Sequence, residues 1–104
     1  MENIIIFQAH TEAKMEISEL FQNKGYMPFF AESLSEISVI MNSNKCSKTF
    51  MYVKNFSDIR LLRTIKSMYG NIEINLIIPP HLSDIIKLLK NNTFNIFDDI
   101  TGIL

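Results

Sequence analysis

The sequence predicts an α/β domain: five strands in one parallel sheet, with helices on both faces. Three observations carry this reading. Strand-like apolar runs and segments with helical spacing alternate along the 104 residues, four times over, and close on a fifth strand. Runs such as Ile4-Ile5-Ile6-Phe7 are apolar at every position, as in strands covered on both sides. The connections are short and polar, so each helix serves as the crossover between parallel neighbours.

The elements follow in order. Ile4 to Phe7 forms the first strand and stops in Gln8-Ala9-His10. Thr11 is placed to cap a helix from Glu12 to Lys24, with Ala13, Ile17, Leu20 and Phe21 on one face. Gly25 ends it as a residue free to take positive φ. Met27 to Ala31 reads as a second strand, and Pro28 assigns it to an edge because proline cannot donate to a ladder. Ser33-Leu34-Ser35-Glu36 is a capping box, and Leu34, Ile37, Ile40 and Met41 stripe the helix behind it.

Asn42 to Lys45 breaks that helix. Thr49 to Val53, apolar nearly throughout, is a central third strand. Ser57 can cap a third helix from Asp58 to Tyr69, whose core face includes Leu62 and Ile65. Gly70-Asn71 turns the chain into a fourth strand, Ile72 to Ile78, which Pro79-Pro80 stops. A fourth helix runs through Asn91 with Leu82, Ile85, Ile86 and Leu89 on one side. Phe94 to Phe97 is the fifth strand, and residues 98 to 104 are left unassigned.

Composition narrows the function classes. A hydrophobic share of 47% supports a core, and a length of 104 residues suits one domain. Ten Lys and Arg against eleven Asp and Glu give a net charge of -1, without the basic footprint of a nucleic-acid or acidic-membrane binder. The single cysteine, Cys46, read as lying in a loop, permits no internal disulfide or cysteine metal cluster. The start lacks a basic signal region and no apolar run nears a membrane span, so a cytoplasmic setting without membrane contact is expected. Three glycines cannot write a phosphate-binding fingerprint. The methionines read as core filler.

Two phrases carry a family resemblance beyond the order and length of elements. Leu20-Phe21-Gln22-Asn23-Lys24-Gly25-Tyr26 is similar to the end of the first receiver helix, where Gly-Tyr leads into strand two. Asn92-Thr93-Phe94-Asn95-Ile96-Phe97 is similar to a Gly-Ala-Tyr-Asp-Phe-Leu run near the last strand of regulators with a central ATPase domain. The chain thus resembles, over nearly its whole length, a response-regulator receiver domain, the flavodoxin-like module of bacterial two-component signalling. The resemblance implies a three-layer sandwich with strand order 2-1-3-4-5.

It also implies a site, and the sequence departs from the family at every position of it. The Mg²⁺-holding acidic pair falls at Gln8 and Ala9, and the phosphoacceptor aspartate at Lys54, or at Asn55 with a slip of one. The Thr or Ser that binds phosphoryl oxygen falls at Pro79, and the family lysine at Asp98 or Asp99. Mg²⁺ requires hard anionic oxygens, which a glutamine and an alanine do not supply. The loop from Lys54 to Leu61 is also short and lacks the usual Pro and Gly. Aspartyl phosphorylation by the family's route is therefore not expected.

Other readings stay open. His10 and His81 both follow strands and could share a metal or anion, against the plainer alternative of two exposed loop histidines. Lys54 could pair with Asp98 or Asp99 across the former pocket. The expectation is a non-catalytic regulatory domain without metal or cofactor, the N-terminal part of a longer bacterial transcriptional regulator. Its partners would be a second copy, as a dimer, or an output domain, with no direct nucleic-acid contact. Contacts would fall among residues 81 to 92 and 94 to 97. Ile103-Leu104 would open a fifth helix, without which part of the sheet's apolar face would be bare. The alternatives are a small-ligand or anion-sensing module, or a small enzyme or carrier, using His10, Asn55, Lys54 or His81 at the strand ends.

Overall fold

A computed structural model describes residues 1–89 and 94–100. Five strands, β1 (Glu2–Phe7), β2 (Tyr26–Ala31), β3 (Cys46–Tyr52), β4 (Glu73–Ile77) and β5 (Asn95–Phe97), form one sheet in the order β2-β1-β3-β4-β5. All four pairings are parallel. The helices are α1 (Lys14–Asn23), α2 (Leu34–Ser43), α3 (Asp58–Met68) and α4 (Asp84–Leu88).

Side-chain alternation explains why β1 is apolar throughout. Ile5 and Phe7 point to one face, where Ile37 of α2, Leu62 and Ile65 of α3 and Ile85 of α4 complete a core. Ile4 and Ile6 point to the other, against Ile17 and Phe21 of α1. Phe21 is fully buried and stacks obliquely on Phe50, with ring centroids 4.8 Å apart. Burying four such side chains stabilises the strand by roughly 1.5–3 kcal/mol each before entropy is counted. β2 lies at the edge, where Pro28 needs no second partner. Gly25 sits at φ 89, which glycine adopts without strain.

Several boundaries differ from expectation. A 3-10 turn, Thr11–Ala13, precedes α1, and neither Thr11 nor any other side chain caps it. Leu20 is partly exposed rather than core. The capping box is shifted: Ser33 Oγ accepts from the Glu36 amide at 3.2 Å, but the Glu36 carboxylate accepts from the Glu32 amide at 2.9 Å, one residue before the cap. Ser57 makes no side-chain cap to α3. Cys46 opens β3 and is buried, so it is not a loop thiol, and burial pushes its pKa up.

The fourth helix is divided. Pro80 starts a 3-10 turn, Pro80–Leu82, because its missing N–H suits a first helical position, and α4 begins only at Asp84. Ile86 consequently points outward while Ile85 and Leu89 are buried. The expected helix end at Asn91, the Asn92-Thr93 part of the second phrase and the segment Ile103-Leu104 lie outside the described residues. Of the methionines, Met51 is core, but Met15 and Met68 are more than half exposed.

The sheet face under α1 is not simply apolar. Lys48, Glu73, Asn75 and Asn95 lie side by side on it, by the pairings Lys48↔Glu73 and Asn75↔Asn95. Asn75 donates to Glu73 Oε2 at 3.1 Å and accepts from Asn95 at 3.0 Å. The expected bare apolar face is therefore polar over the amino-terminal half of β4 and β5.

Candidate functional site

The carboxyl ends of parallel strands face one edge of the sheet, and loops beyond them form the customary binding crevice. Here that edge holds a cavity of about 510 Å³. Its walls are Tyr52 and Val53 at the end of β3, Ile77 and Pro79 at the end of β4, and Leu82 and Ile100 above them. Its polar lining is His10 after β1, Lys54 after β3, His81 in the turn after β4, and Asp98 and Asp99 after β5.

Each is placed by local chemistry. Val53 continues the β3–β4 ladder through its amide to the Ile77 carbonyl at 3.0 Å, so Lys54 is the first residue free of the sheet. The Ile78 amide, just past β4, donates to the Phe97 carbonyl at the end of β5 at 2.9 Å, which carries the ladder to the end of β5 and sets Asp98 and Asp99 at the rim. Pro79 cannot donate and turns the chain out, and the Leu82 amide closes on its carbonyl at 2.9 Å. His81 stands in that turn.

Of the residues expected at the site, His10, Lys54, Pro79, His81, Asp98 and Asp99 meet in this cavity. Gln8, Ala9 and Asn55 do not line it. Ala9 is buried in the core on the α1 side. Gln8 has φ 63, a left-handed conformation uncommon outside glycine, asparagine and aspartate. Its amide donates to the Ala31 carbonyl at 3.0 Å and its side chain to the Tyr52 carbonyl at 3.3 Å. It thus ties β1 to strands on either side. Asn55 is exposed, and its side-chain oxygen accepts from the Ser57 amide at 3.0 Å.

Two residues that matter were not anticipated. Asp58, at the start of α3, is buried, and its Oδ2 accepts from the Lys54 amide at 2.7 Å and the Asn55 amide at 3.3 Å. It holds the turn that presents Lys54. The sequence reading took Asp58 only as the start of the third helix, though its spacing from Lys54-Asn55 was a usable signal. Tyr52 is the other. Burial, and then the nearby Asp99 charge, push its phenol up to about 12. Its parity with Phe50 on the strand places it on the α1 side of the sheet.

The arrangement is an apolar pocket with ionisable groups at its rim, in which a ligand could be desolvated on one side and held by charge on another. Among the described residues, no three His, Cys, Asp or Glu side chains converge to hold a metal ion. No described helix is long and apolar enough to cross a membrane.

No protein-family model matches the chain, and no curated protein sequence matches it. Among solved structures, it is similar to the crystal structure of HP1043, an orphan response regulator of H. pylori, with a TM-score of 0.70. Sequence identity is 15%, with 98% of this chain and 89% of that chain covered. At that identity the likeness is one of fold. The chain has the flavodoxin-like fold of a response-regulator receiver domain, as the element order and the phrase ending in Gly25-Tyr26 implied.

Proposed function

We propose that the chain is a regulatory receiver-type domain that acts through protein contacts without aspartyl phosphorylation. The observation that carries this is the occupancy of the strand-end edge: Gln8 and Ala9 follow β1, and Lys54 follows β3. Phosphoryl transfer to a carboxylate needs a divalent cation to neutralise charge on the phosphoryl oxygens. An alanine side chain in the core and a neutral amide used to bond the Tyr52 carbonyl supply no such ligand set. The similar solved structure is itself described as an orphan response regulator, which agrees with a signalling role.

In this reading the domain is cytoplasmic and is the N-terminal module of a longer bacterial transcriptional regulator. It pairs with a second copy or with an output domain and does not itself touch DNA. The contact surface is α4 with β5, where Ile86, Leu88 and Ile96 are exposed apolar side chains. Ile96 lies opposite Leu76 in register, on the face that α4 covers. Exposed apolar side chains on neighbouring elements favour protein association.

Acetyl phosphate and beryllofluoride, each with Mg²⁺, test the proposal. The expected result is no acyl phosphate by mass spectrometry and no Mg²⁺-dependent change in melting temperature. An acyl phosphate on any aspartate that depends on Mg²⁺ would sink it. For the contact surface, Leu88→Asp should weaken self-association in sedimentation velocity; a parent that stays monomeric at all concentrations counts against the dimer.

A further inference from the structure

The strand-end cavity has a property that neither phosphorylation nor a folding role uses: it is large, its walls are apolar, and its charges are segregated. About 510 Å³ lies within the range of roughly 300–1,000 Å³ common to small-molecule sites. An inorganic ion would leave most of that volume unfilled and the walls of Val53, Ile77, Leu82 and Ile100 without contact. Strand order fixes the segregation. His10 and Lys54 follow the adjacent strands β1 and β3, whereas both carboxylates, Asp98 and Asp99, follow β5 at the far side. His81 follows β4 between them.

We propose that this cavity binds a small organic anion with an apolar body, a carboxylate on an aromatic or branched scaffold, as the signal that replaces phosphorylation. The apolar body lies against Val53, Ile77, Leu82 and Ile100. The carboxylate is drawn to the β1–β3 side, where Lys54 is the fixed cation and His10 a further donor. Asp98, on the β5 side, repels it and so orients it. Asp58 acts as a positioning residue, because its bonds to the Lys54 and Asn55 amides hold the turn from which the Lys54 side chain projects. The turn holding His81 and Leu82 lines the cavity directly before α4, which connects occupancy to the α4–β5 surface. The proposal rests on the reading of the chain as a regulator that is not phosphorylated.

The test uses the full chain, ¹⁵N-labelled, with three probes: indole-3-acetate, tryptamine and inorganic phosphate. Indole-3-acetate is expected to shift the amide resonances of Val53, Lys54 and Leu82 and to raise the melting temperature, with a Kd below about 1 mM. Lys54→Ala, at an exposed side chain, should weaken it by about tenfold, the worth of one charge-assisted hydrogen bond. Leu82→Trp should fill the cavity and abolish binding; where it lowers the melting temperature sharply, the Lys54 variant decides. Equal or tighter binding of tryptamine overturns the assignment of an anion. Equal binding of phosphate overturns the apolar body. No shift with any probe overturns the site. None of these outcomes alters the acetyl phosphate result, so failure here and failure of the regulatory reading are distinguishable.

Discussion

Gln8 shows how a single residue can serve a fold while departing from its usual chemistry. A non-glycine residue in the left-handed region costs roughly 1–2 kcal/mol, and here the cost is offset by bonds to both neighbouring strands. Gln8→Gly should therefore match or exceed the parent in stability, since relief of strain offsets the long side-chain bond. Gln8→Val, β-branched, should lose on the order of 1–2 kcal/mol in urea unfolding. Equal stability of the two variants would mean that the backbone there is not strained. Tyr52 makes a prediction about alkaline pH. Its phenol stands at about 12 in the fold against an ordinary 10.0, so the folded chain holds that proton more tightly than the unfolded chain. Stability from this group is intact below pH 10.0 and is lost as pH rises through 12, by less than the full shift would imply because solvent reaches the partly exposed ring. Lys48 acts in the same direction: its hydrogen bond to the Tyr26 hydroxyl is the main cause raising its pKa above 10.5, so its contribution also disappears at alkaline pH. Tyr52→Phe should remove the first part of the decline and leave the second. Phenolate absorbance should show one of the three tyrosines titrating well after an ordinary phenol.

At the scale of elements, Asp58 and α3 give the clearest test. A buried carboxylate accepting two backbone amides is worth more than a neutral cap, and its loss leaves both donors without that partner. Asp58→Ala should destabilise the chain by about 2–3 kcal/mol and broaden the Lys54 and Asn55 amide resonances; Ser57→Ala, which removes no cap to α3, should cost well under 1 kcal/mol. The same contrast explains what the sequence could and could not disclose. β1 was legible because a strand buried on both faces is apolar at every position, and β3 and β4 were legible from their apolar carboxyl-terminal ends, Phe50-Met51 and Leu76-Ile77. Pro28 marked the edge and Gly25 the helix end for equally local reasons. α4 was misread because helical spacing in Leu82, Ile85, Ile86 and Leu89 says nothing of the break that Pro80 imposes, which turns Ile86 outward. Cys46 was misplaced because polar Ser47 and Lys48 hide a strand that starts three residues before its apolar run. At the site, the strand-end positions were named from the family resemblance together with the order of elements. Asp58 was not, because its one trace in the sequence, the spacing from Lys54-Asn55, does not by itself say that a helix-start carboxylate turns back to those amides.

The whole molecule is a sheet whose stability should fall from centre to edge. β1 and β3 are flanked on both sides and carry the side chains of both cores, whereas β5 has three residues and one neighbour. Amides of β1 and β3 should exchange with solvent only through global unfolding, and those at the β4–β5 boundary through local opening. What secures that boundary is the Asn75–Asn95 side-chain bond, made between residues directly opposite in register on the α1 side of the sheet. A buried asparagine in β4 is costly, and its partners, Asn95, Glu73 and the Thr49 carbonyl, make it tolerable. Asn75→Val keeps the strand's shape and removes those bonds. The expected outcome is an exchange rate at the Ile78 amide, which bonds to the Phe97 carbonyl, raised by roughly tenfold, the equivalent of about 1–1.5 kcal/mol, with β1 and β3 nearly unchanged. Because Asp98, Asp99 and Ile100 follow β5 directly, the same substitution should also loosen the acidic side of the cavity without altering Lys54. Uniformly faster exchange across all five strands would show instead that β5 belongs to the global folding unit and that its edge does not move independently.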